Sequence, residues 1–405
     1  VATPQSVRHL NEIRALNVLF RTEGMSRADL ARALGLNRST TGNIIANLRA
    51  DALVIERPDM ARPDGETRTG RPGIHIEIDA LGAYFIGAEI GVDRLTVLAI
   101  DLAAREVARR SIDFSTALET PEAGIARIAG MIGEIIAMLP DPGLIRGLCV
   151  ALPALLDPEG VVVNGLILGW QDVRLRDGLA ERLPVELPIH IENDANAFAI
   201  AETYRDAAHQ SETVAFMLIE NGAGGGIVIG GRLFRGNFGL AGEFGQIAIG
   251  GEGFFRGRHK MGHLESYIGK DAIVARYRAN GGPQDAGLEQ LLEALARRDK
   301  IALLTARDWG SRLALGLVQV ASVLNPGQII LGGSVAPVFA AVAEEVEAAM
   351  RAEFIEGFPM PRILVSSLGQ EGPALGAALL LHQRMLSVDE SLIYPGAAPE
   401  TLFNG

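Results

Sequence analysis

One cysteine, Cys149, stands in the 405-residue chain. A single thiol closes no internal disulfide and builds no cysteine-rich zinc site. Aromatic residues are few, at 5%. Long apolar runs are missing: the stretch 148–156 is nine residues, far below the ~20 that span a bilayer. The chain does not open on the basic-then-apolar pattern of a secretory signal, so a cytoplasmic location without a membrane partner is expected. What is present is ample apolar side chain, 48%, against 21% charged residues, the balance of a chain with substantial cores. At ~150 residues per domain, the length predicts two or three domains.

The net charge of −12 is unevenly spread. Residues 1–75 hold eleven arginines against eight acids, a balance of +3, and residues 76–405 carry −15. A weakly basic head on an acidic body fits a small DNA-binding module joined to a larger domain. Ordinary surface variation also gives +3, so the pattern inside the head decides.

From His9 to Arg21, Leu10, Ile13, Leu16 or Asn17, and Phe20 fall at helical spacing. Ser26 is placed to cap a second helix over 27–34, with Asp29 three residues on. Leu30, Ala31 and Leu34 face inward there, and Gly35 stops the helix. Asn37 caps a third helix from 38 to about 49, with Ile44, Ile45 and Leu48 inward. The turn Gly35-Leu36-Asn37 has helix-turn-helix length. The third helix opens with Arg38, Ser39, Thr40, Thr41, Gly42 and Asn43. Short donors and an arginine at a helix start suit base edges and phosphates in a major groove, so Arg38, Ser39, Thr41 and Asn43 are the expected DNA contacts. Gly42 costs about 1 kcal/mol relative to alanine; close approach to a DNA backbone explains it, and so does a tight helix crossing. Strands over 53–56 and 75–78 flank a Pro-, Gly-, Arg- and Asp-rich segment, 57–73, which reads as a β-wing. Its Gly70-Arg71-Pro72 core is narrow and extended, able to lay Arg71 into a minor groove. The alternative for this head is a three-helix protein-interaction domain.

From residue 83 the pattern changes. Strands are predicted over 83–90, 95–101, 106–114, 147–152 and 188–191, with a helix over 121–139. Glu192-Asn193-Asp194-Ala195-Asn196 leads into a helix over 197–204. Strands over 214–220 and 226–229 bracket the glycine-rich 221–226. A long helical stretch, 288–324, is interrupted near 298–300; a strand over 329–331, a helix to 354, a strand over 363–366 and a helix over 373–386 follow. Strands, then alternating helix and strand, twice over, indicate an α/β body with two similar lobes.

The stretches 26–48, 70–72, 192–196, 222–226, 239–246, 262–265 and 332–333 together resemble the ROK family (repressors, open reading frames and sugar kinases), in its repressor branch. The resemblance implies an α+β winged helix-turn-helix head on an α/β, actin-like ATPase (sugar-kinase-like) body of two lobes. Domains are expected at 1–80, 81–190 and 191–372, with a C-terminal helix, 373–395, packing back on the first lobe. A sugar is expected in the cleft between the lobes.

Asn193 and Asp194 sit at a strand end before a helix, where open α/β sheets place ligand-facing groups. A carboxylate beside a carboxamide holds two neighbouring sugar hydroxyls; an Asx turn capping the next helix is the plain alternative. In the family's kinases the aspartate at the Asp194 position is the general base. The run 239–246 resembles the family's Glu-x-Gly-His motif, which makes Glu243 a hydroxyl acceptor and puts Gln246 where the histidine belongs. Glu265 matches the last sugar-contacting glutamate. Leu166 stands where relatives place a polar sugar contact, and Asn164, two residues earlier, is the substitute. The family's zinc cysteines correspond to Arg256, Arg258 and His263, so no metal is expected. Backbone amides around Gly222, Gly224 and Gly226 are able to cradle phosphate. The family's first phosphate loop, Asp-x-Gly-Gly-Thr, reads here Glu89-Ile90-Gly91-Val92-Asp93, which puts a negative charge where phosphate would lie. No ATP cofactor and no kinase activity are therefore expected. The expectation is a homodimer, or a tetramer, that binds operator DNA and answers to a sugar effector, acting as a repressor. Two alternatives stand beside it: a sugar kinase with a fused regulatory head, and a repressor controlled by a protein partner.

Overall fold

Two side-chain caps set the geometry of the N-terminal region in the computed structural model, which describes residues 4–58, 74–116, 119–157, 159–205, 212–251 and 260–387. Helix α1 (Pro4–Arg21) leads to a two-residue strand, β1 (Met25–Ser26). The Ser26 hydroxyl accepts from the Asp29 amide at 3.2 Å and starts α2 (Arg27–Leu34). Gly35 ends it at φ 66°, a left-handed conformation open to glycine. Asn37 accepts from the Thr40 amide at 2.8 Å and starts α3 (Arg38–Ala50). Strands β2 (Val54–Pro58) and β3 (Ile74–Ile78) pair antiparallel, and β1 adds to the other side of β3. Leu16, Leu19, Leu30, Ile44, Ile45, Leu48 and Ile76 fill the space between helices and sheet. Leu10 is exposed, so the buried face of α1 begins at Ile13. The expected wing and its Arg71 lie outside the described residues.

The body repeats one plan. Strands β4 (Tyr84–Ile90), β5 (Arg94–Asp101) and β6 (Glu106–Asp113) form an antiparallel meander. Helix α4 (Pro121–Met138) returns the chain to β7 (Ile145–Leu152), parallel to β4. A small sheet of β8 (Leu155–Leu156), β9 (Val162–Gly165) and β10 (Trp170–Val173) follows, then α5 (Leu175–Ala180). Strand β11 (Ile189–Asn193) joins parallel to β7, giving the order β11-β7-β4-β5-β6.

Helix α6 (Asp194–Arg205) crosses to the second lobe, where β12 (Thr213–Ile219), β13 (Ala223–Ile229) and β14 (Arg232–Leu233) form another antiparallel meander. Helices α7 (Glu265–Ile268), α8 (Lys270–Ala279), α9 (Leu288–Ala296) and α10 (Lys300–Leu324) cover this lobe. Strand β15 (Gln328–Gly332), helix α11 (Ala343–Glu353) and strand β16 (Arg362–Val365) complete it, in the order β14-β13-β12-β15-β16. Each sheet thus has three antiparallel strands followed by two parallel ones. Helix α12 (Gly372–Leu386) returns to pack on α6, β4 and β7. No helix among the described residues is long and apolar enough to cross a membrane.

Three boundaries differ from expectation. Strand β11 pairs in register as far as Asn193 with Leu152, so a domain boundary at 190/191 would cut a strand of the first sheet. Helix α6 begins at Asp194 rather than 197, because Asn193 caps it. Strand β13 begins at Ala223 rather than at 226, so Gly224, opposite Leu218, lies in the strand with Gly226, opposite Phe216, and not in a loop. An added Cβ on Gly224 would lie 2.9 Å from Ala195 Cβ, and one on Gly226 would lie 2.6 Å from Ala199 Cβ. These glycines let α6 lie against the hairpin.

Candidate functional site

The end of β11 and the start of α6 build the floor of an interlobe cavity of about 600 Å³. Asn193 Oδ1 accepts from the amides of Ala195 (2.9 Å) and Asn196 (3.1 Å), so the Asx cap is real and coexists with a place on the cavity wall. Asp194 is the first helical residue, and its Oδ1 also accepts from the Ala195 amide. Burial pushes its carboxyl up to about 7 against that amide, and the facing charges of Glu243 and Glu220 push the same way. Beneath them Glu192 is 5% exposed and takes a two-pronged ion pair from Arg235, at 3.1 and 2.6 Å. Burial works against its ionised form, but Arg235 and the Asn193 amide hold it below the usual range. This pair ties the end of β11 to the segment after β14.

Glu243, Gln246 and Glu265 enter from the second lobe. Burial, then the charge of Glu265, raises Glu243. Gln246 Nε2 donates to Glu265 Oε1 at 3.0 Å, and its Oε1 lies 3.1 Å from His263 Nδ1. An amide oxygen only accepts, so His263 Nδ1 is the donor in this contact. His263, at one of the family's zinc-cysteine positions, and Gln246, at the position of the motif's histidine, are thus joined by a hydrogen bond. Arg256 and Arg258 lie outside the described residues, but two arginines do not ligate zinc, and the donor set does not fit it. Among the described residues, no group of three His, Cys, Asp or Glu is disposed to hold a metal ion.

The first lobe closes the opposite wall with Asn164, Leu155, Leu166 and Ile167. All six residues singled out from the sequence as sugar contacts, Asn164, Asn193, Asp194, Glu243, Gln246 and Glu265, therefore line one cavity. The same cavity is also lined by the acids Glu89, Asp93 and Glu220 and the cations Arg94 and Lys270, with Gly222 and Gly224 among them. Glu89 Oε2 is buried without a hydrogen-bond partner. Its carboxyl is pushed well up by burial, then by Glu220 and Asp194. Glu220 accepts from the Ser334 amide at 2.6 Å and the Ser334 hydroxyl at 2.5 Å. Asp93 pairs with Lys270 across the cleft at 2.7 Å. Glu220, Ser334, Lys270 and Arg235 were not legible as site residues, since no local motif marks them, and Glu192, although inside the motif 192–196, gave no sign of its partner.

On the head, Arg38, Ser39 and Asn43 are exposed along the start of α3, but Thr41 is not. It is 2% exposed, and its hydroxyl donates to the Asn37 carbonyl at 3.0 Å, so it is corrected from a DNA contact to a core residue. The signal was present: Thr41, Ile44, Ile45 and Leu48 fall at i, i+3, i+4 and i+7, one helix face. An added Cβ on Gly42 meets nothing within 4 Å, which removes the tight helix crossing as its explanation.

Two sheets of one plan across a cleft, with a carboxylate at a strand end on its floor, define the actin-like ATPase class of fold. More particularly, the chain belongs to the ROK family, whose model matches residues 85–384. The xylose repressor of Bacillus subtilis (strain 168) is 26% identical over 397 residues, which cover 96% of this chain and 99% of that protein. A ROK family transcriptional regulator, described as a homolog of the E. coli MLC protein, matches in structure with a TM-score of 0.74 and 22% identity, over 94% of this chain and 97% of its own. A ROK family glucokinase from Streptomyces griseus, in complex with glucose and AMPPNP, matches with a TM-score of 0.64 and 26% identity. It spans 74% of this chain and 100% of its own.

Proposed function

We propose that this chain is a sugar-responsive transcriptional repressor. The observation that carries the reading is the convergence of Asn164, Asn193, Asp194, Glu243, Gln246 and Glu265 on one cavity, in a chain that a xylose repressor matches nearly end to end. Residues 4–78 are read as a winged helix, with α3 as its recognition helix. Arg38, Ser39 and Asn43 reach a major groove and Arg71 an adjacent minor groove, on a palindromic operator bound by a homodimer. The body divides after Asn193 and again before α12.

Three features support a sensor over a kinase. Asp93 stands in the cavity where a triphosphate would need positive charge, beside Glu89 and Glu220, whose burial favours their neutral forms. Of the two cations in the cavity lining, Lys270 is paired with Asp93, and Arg94 is drawn to the Gln370 carbonyl. Gly224 and Gly226 serve helix packing in β13. Asp194 then holds a hydroxyl rather than activating one. Sugar in the cleft favours a closed body, closure moves the head, and the half-sites no longer fit. Coupling of about 1–3 kcal/mol changes operator affinity ~5–150-fold.

The test is a gel-shift assay against a duplex selected by the full chain from a random pool, with and without D-xylose and D-glucose. Arg71→Ala weakens binding, and Glu243→Ala abolishes only the sugar response. Wild-type behaviour in both variants would overturn the assignment of sites.

A further inference from the structure

Two helices run from the cleft to the head. Helix α6 starts at Asp194 on the cavity floor and, at 12 residues, is about 18 Å long. Its last turn carries Tyr204. Helix α12 follows Gln370, another residue of the cavity wall, and ends at Leu386. The two are packed without slack: an added Cβ on Gly376 of α12 would lie 1.7 Å from the Ala197 carbonyl oxygen of α6. Interiors packed this closely transmit displacement instead of absorbing it.

The far ends of both helices hold α1. The Phe20 ring stacks on Tyr204 with centroids 5.7 Å apart and tilts against His382 of α12 at 4.8 Å. His382 is fully buried, and its Nε2 donates to the Leu102 carbonyl at 2.8 Å. That leaves Nδ1 as the acceptor for the Tyr204 hydroxyl, 2.5 Å away. Asn17 adds a hydrogen bond to the Leu386 carbonyl at 3.0 Å. A groove of about 1360 Å³ runs beside this knot, lined by Asn17, Phe20, Tyr204 and Leu386. The head is therefore gripped by helix ends and has open space alongside into which it can pivot.

We propose that α6 and α12 form a strut that carries cleft occupancy to the head, with Tyr204, His382 and Phe20 as the positioning residues that couple its end to α1. This rests on the repressor reading and names how its two sites communicate. The knot touches neither the sugar contacts nor the DNA-facing residues, so its replacement separates coupling from binding.

Spatial intermediacy alone does not establish coupling; non-additivity does. The decisive experiment is a double-mutant cycle of Asp194→Asn against Tyr204→Phe in the full chain, read by hydrogen exchange of residues 14–22 without sugar or DNA. Asp194→Asn is expected to change exchange of 14–22 at least threefold in the wild-type background and less than 1.5-fold with Tyr204→Phe. Exchange of 193–200 should respond equally in both. Phe20→Leu should uncouple in the same way. A tyrosine with a merely structural role would shift 14–22 by one constant factor whichever residue stands at 194. That result, or silence in 14–22 while 193–200 responds, overturns the strut. The repressor reading fails separately, if neither D-xylose nor D-glucose alters the duplex affinity of the wild-type chain.

Discussion

Asp194 serves two roles from one position: it opens α6 and it faces the cavity. Burial, reinforced by Glu243 and Glu220, holds its carboxyl near 7, so it gains its charge around neutrality. A carboxylate accepts from a hydroxyl more strongly once ionised. Calorimetric affinity for the sugar is therefore expected to rise from pH 6 to pH 8, and to lose that slope in Asp194→Asn. Stability runs the other way. Between the unfolded value near 3.8 and the native value near 7, the native state keeps a proton that the unfolded chain has lost, so stability falls as pH rises through that window. Urea unfolding should show Asp194→Asn gaining on wild type at pH 8 relative to pH 4; an equal difference at both would contradict the burial of this carboxyl. Thr41 and Asn43, two residues apart, should separate cleanly. Thr41→Ala is expected to destabilise by about 1 kcal/mol, with duplex affinity kept; Asn43→Ala should weaken duplex binding at unchanged stability. The helical phase of Thr41 was readable, but a list of polar residues at a helix start overrode it.

At the scale of elements, α6 is the centre of the molecule. It touches the hairpin through Gly224 and Gly226 and α12 through Gly376, and its own alanines 195, 197, 199 and 201 are buried. The glycine run reads in sequence as a phosphate loop because small residues serve both purposes: close approach of an anion to a backbone, and close approach of a helix. Only the register of β13 against β12 distinguishes them. Gly376→Ala must displace the Ala197 carbonyl, and overpacking of this kind destabilises by about 1–3 kcal/mol. A melting temperature unchanged from wild type would show that the two helices have slack. Strand positions were legible more easily: each strand expected in the body is present, with ends shifted by a few residues where a cap such as Asn193 set the boundary, while their order within each sheet came only from the structure.

For the whole molecule, the question is whether the cleft still works on nucleotide. Asp93, with the part-buried acids Glu89 and Glu220, lines the place for a triphosphate; of the two cations in the same lining, Lys270 is paired with Asp93 and Arg94 donates to the Gln370 carbonyl. A coupled ADP-release assay with ATP and D-glucose or D-xylose is expected to show no turnover above background. Turnover that disappears in Asp194→Asn would return the chain to the kinases. The basic head and acidic body fit the proposed division of labour, in which one part faces DNA and the other closes on a ligand.

Composition, capping residues and hydrophobic period were sufficient to establish a small helical head and a two-lobed α/β body, because each of these is a local property of the chain; the residues around the cavity, beyond Asn193 and Asp194 at their strand end, were legible only through the motifs that resemble the family's. Which of those residues face one another was decided by folding alone. Glu220 meets Ser334 and Glu192 meets Arg235 only when strands distant in sequence are brought into register. The same holds for Phe20, Tyr204 and His382, which come from three helices spread over most of the chain. Pairing over such separations leaves no trace in local pattern, since its energy comes from burial and hydrogen bonds that exist only after the lobes and the head have assembled.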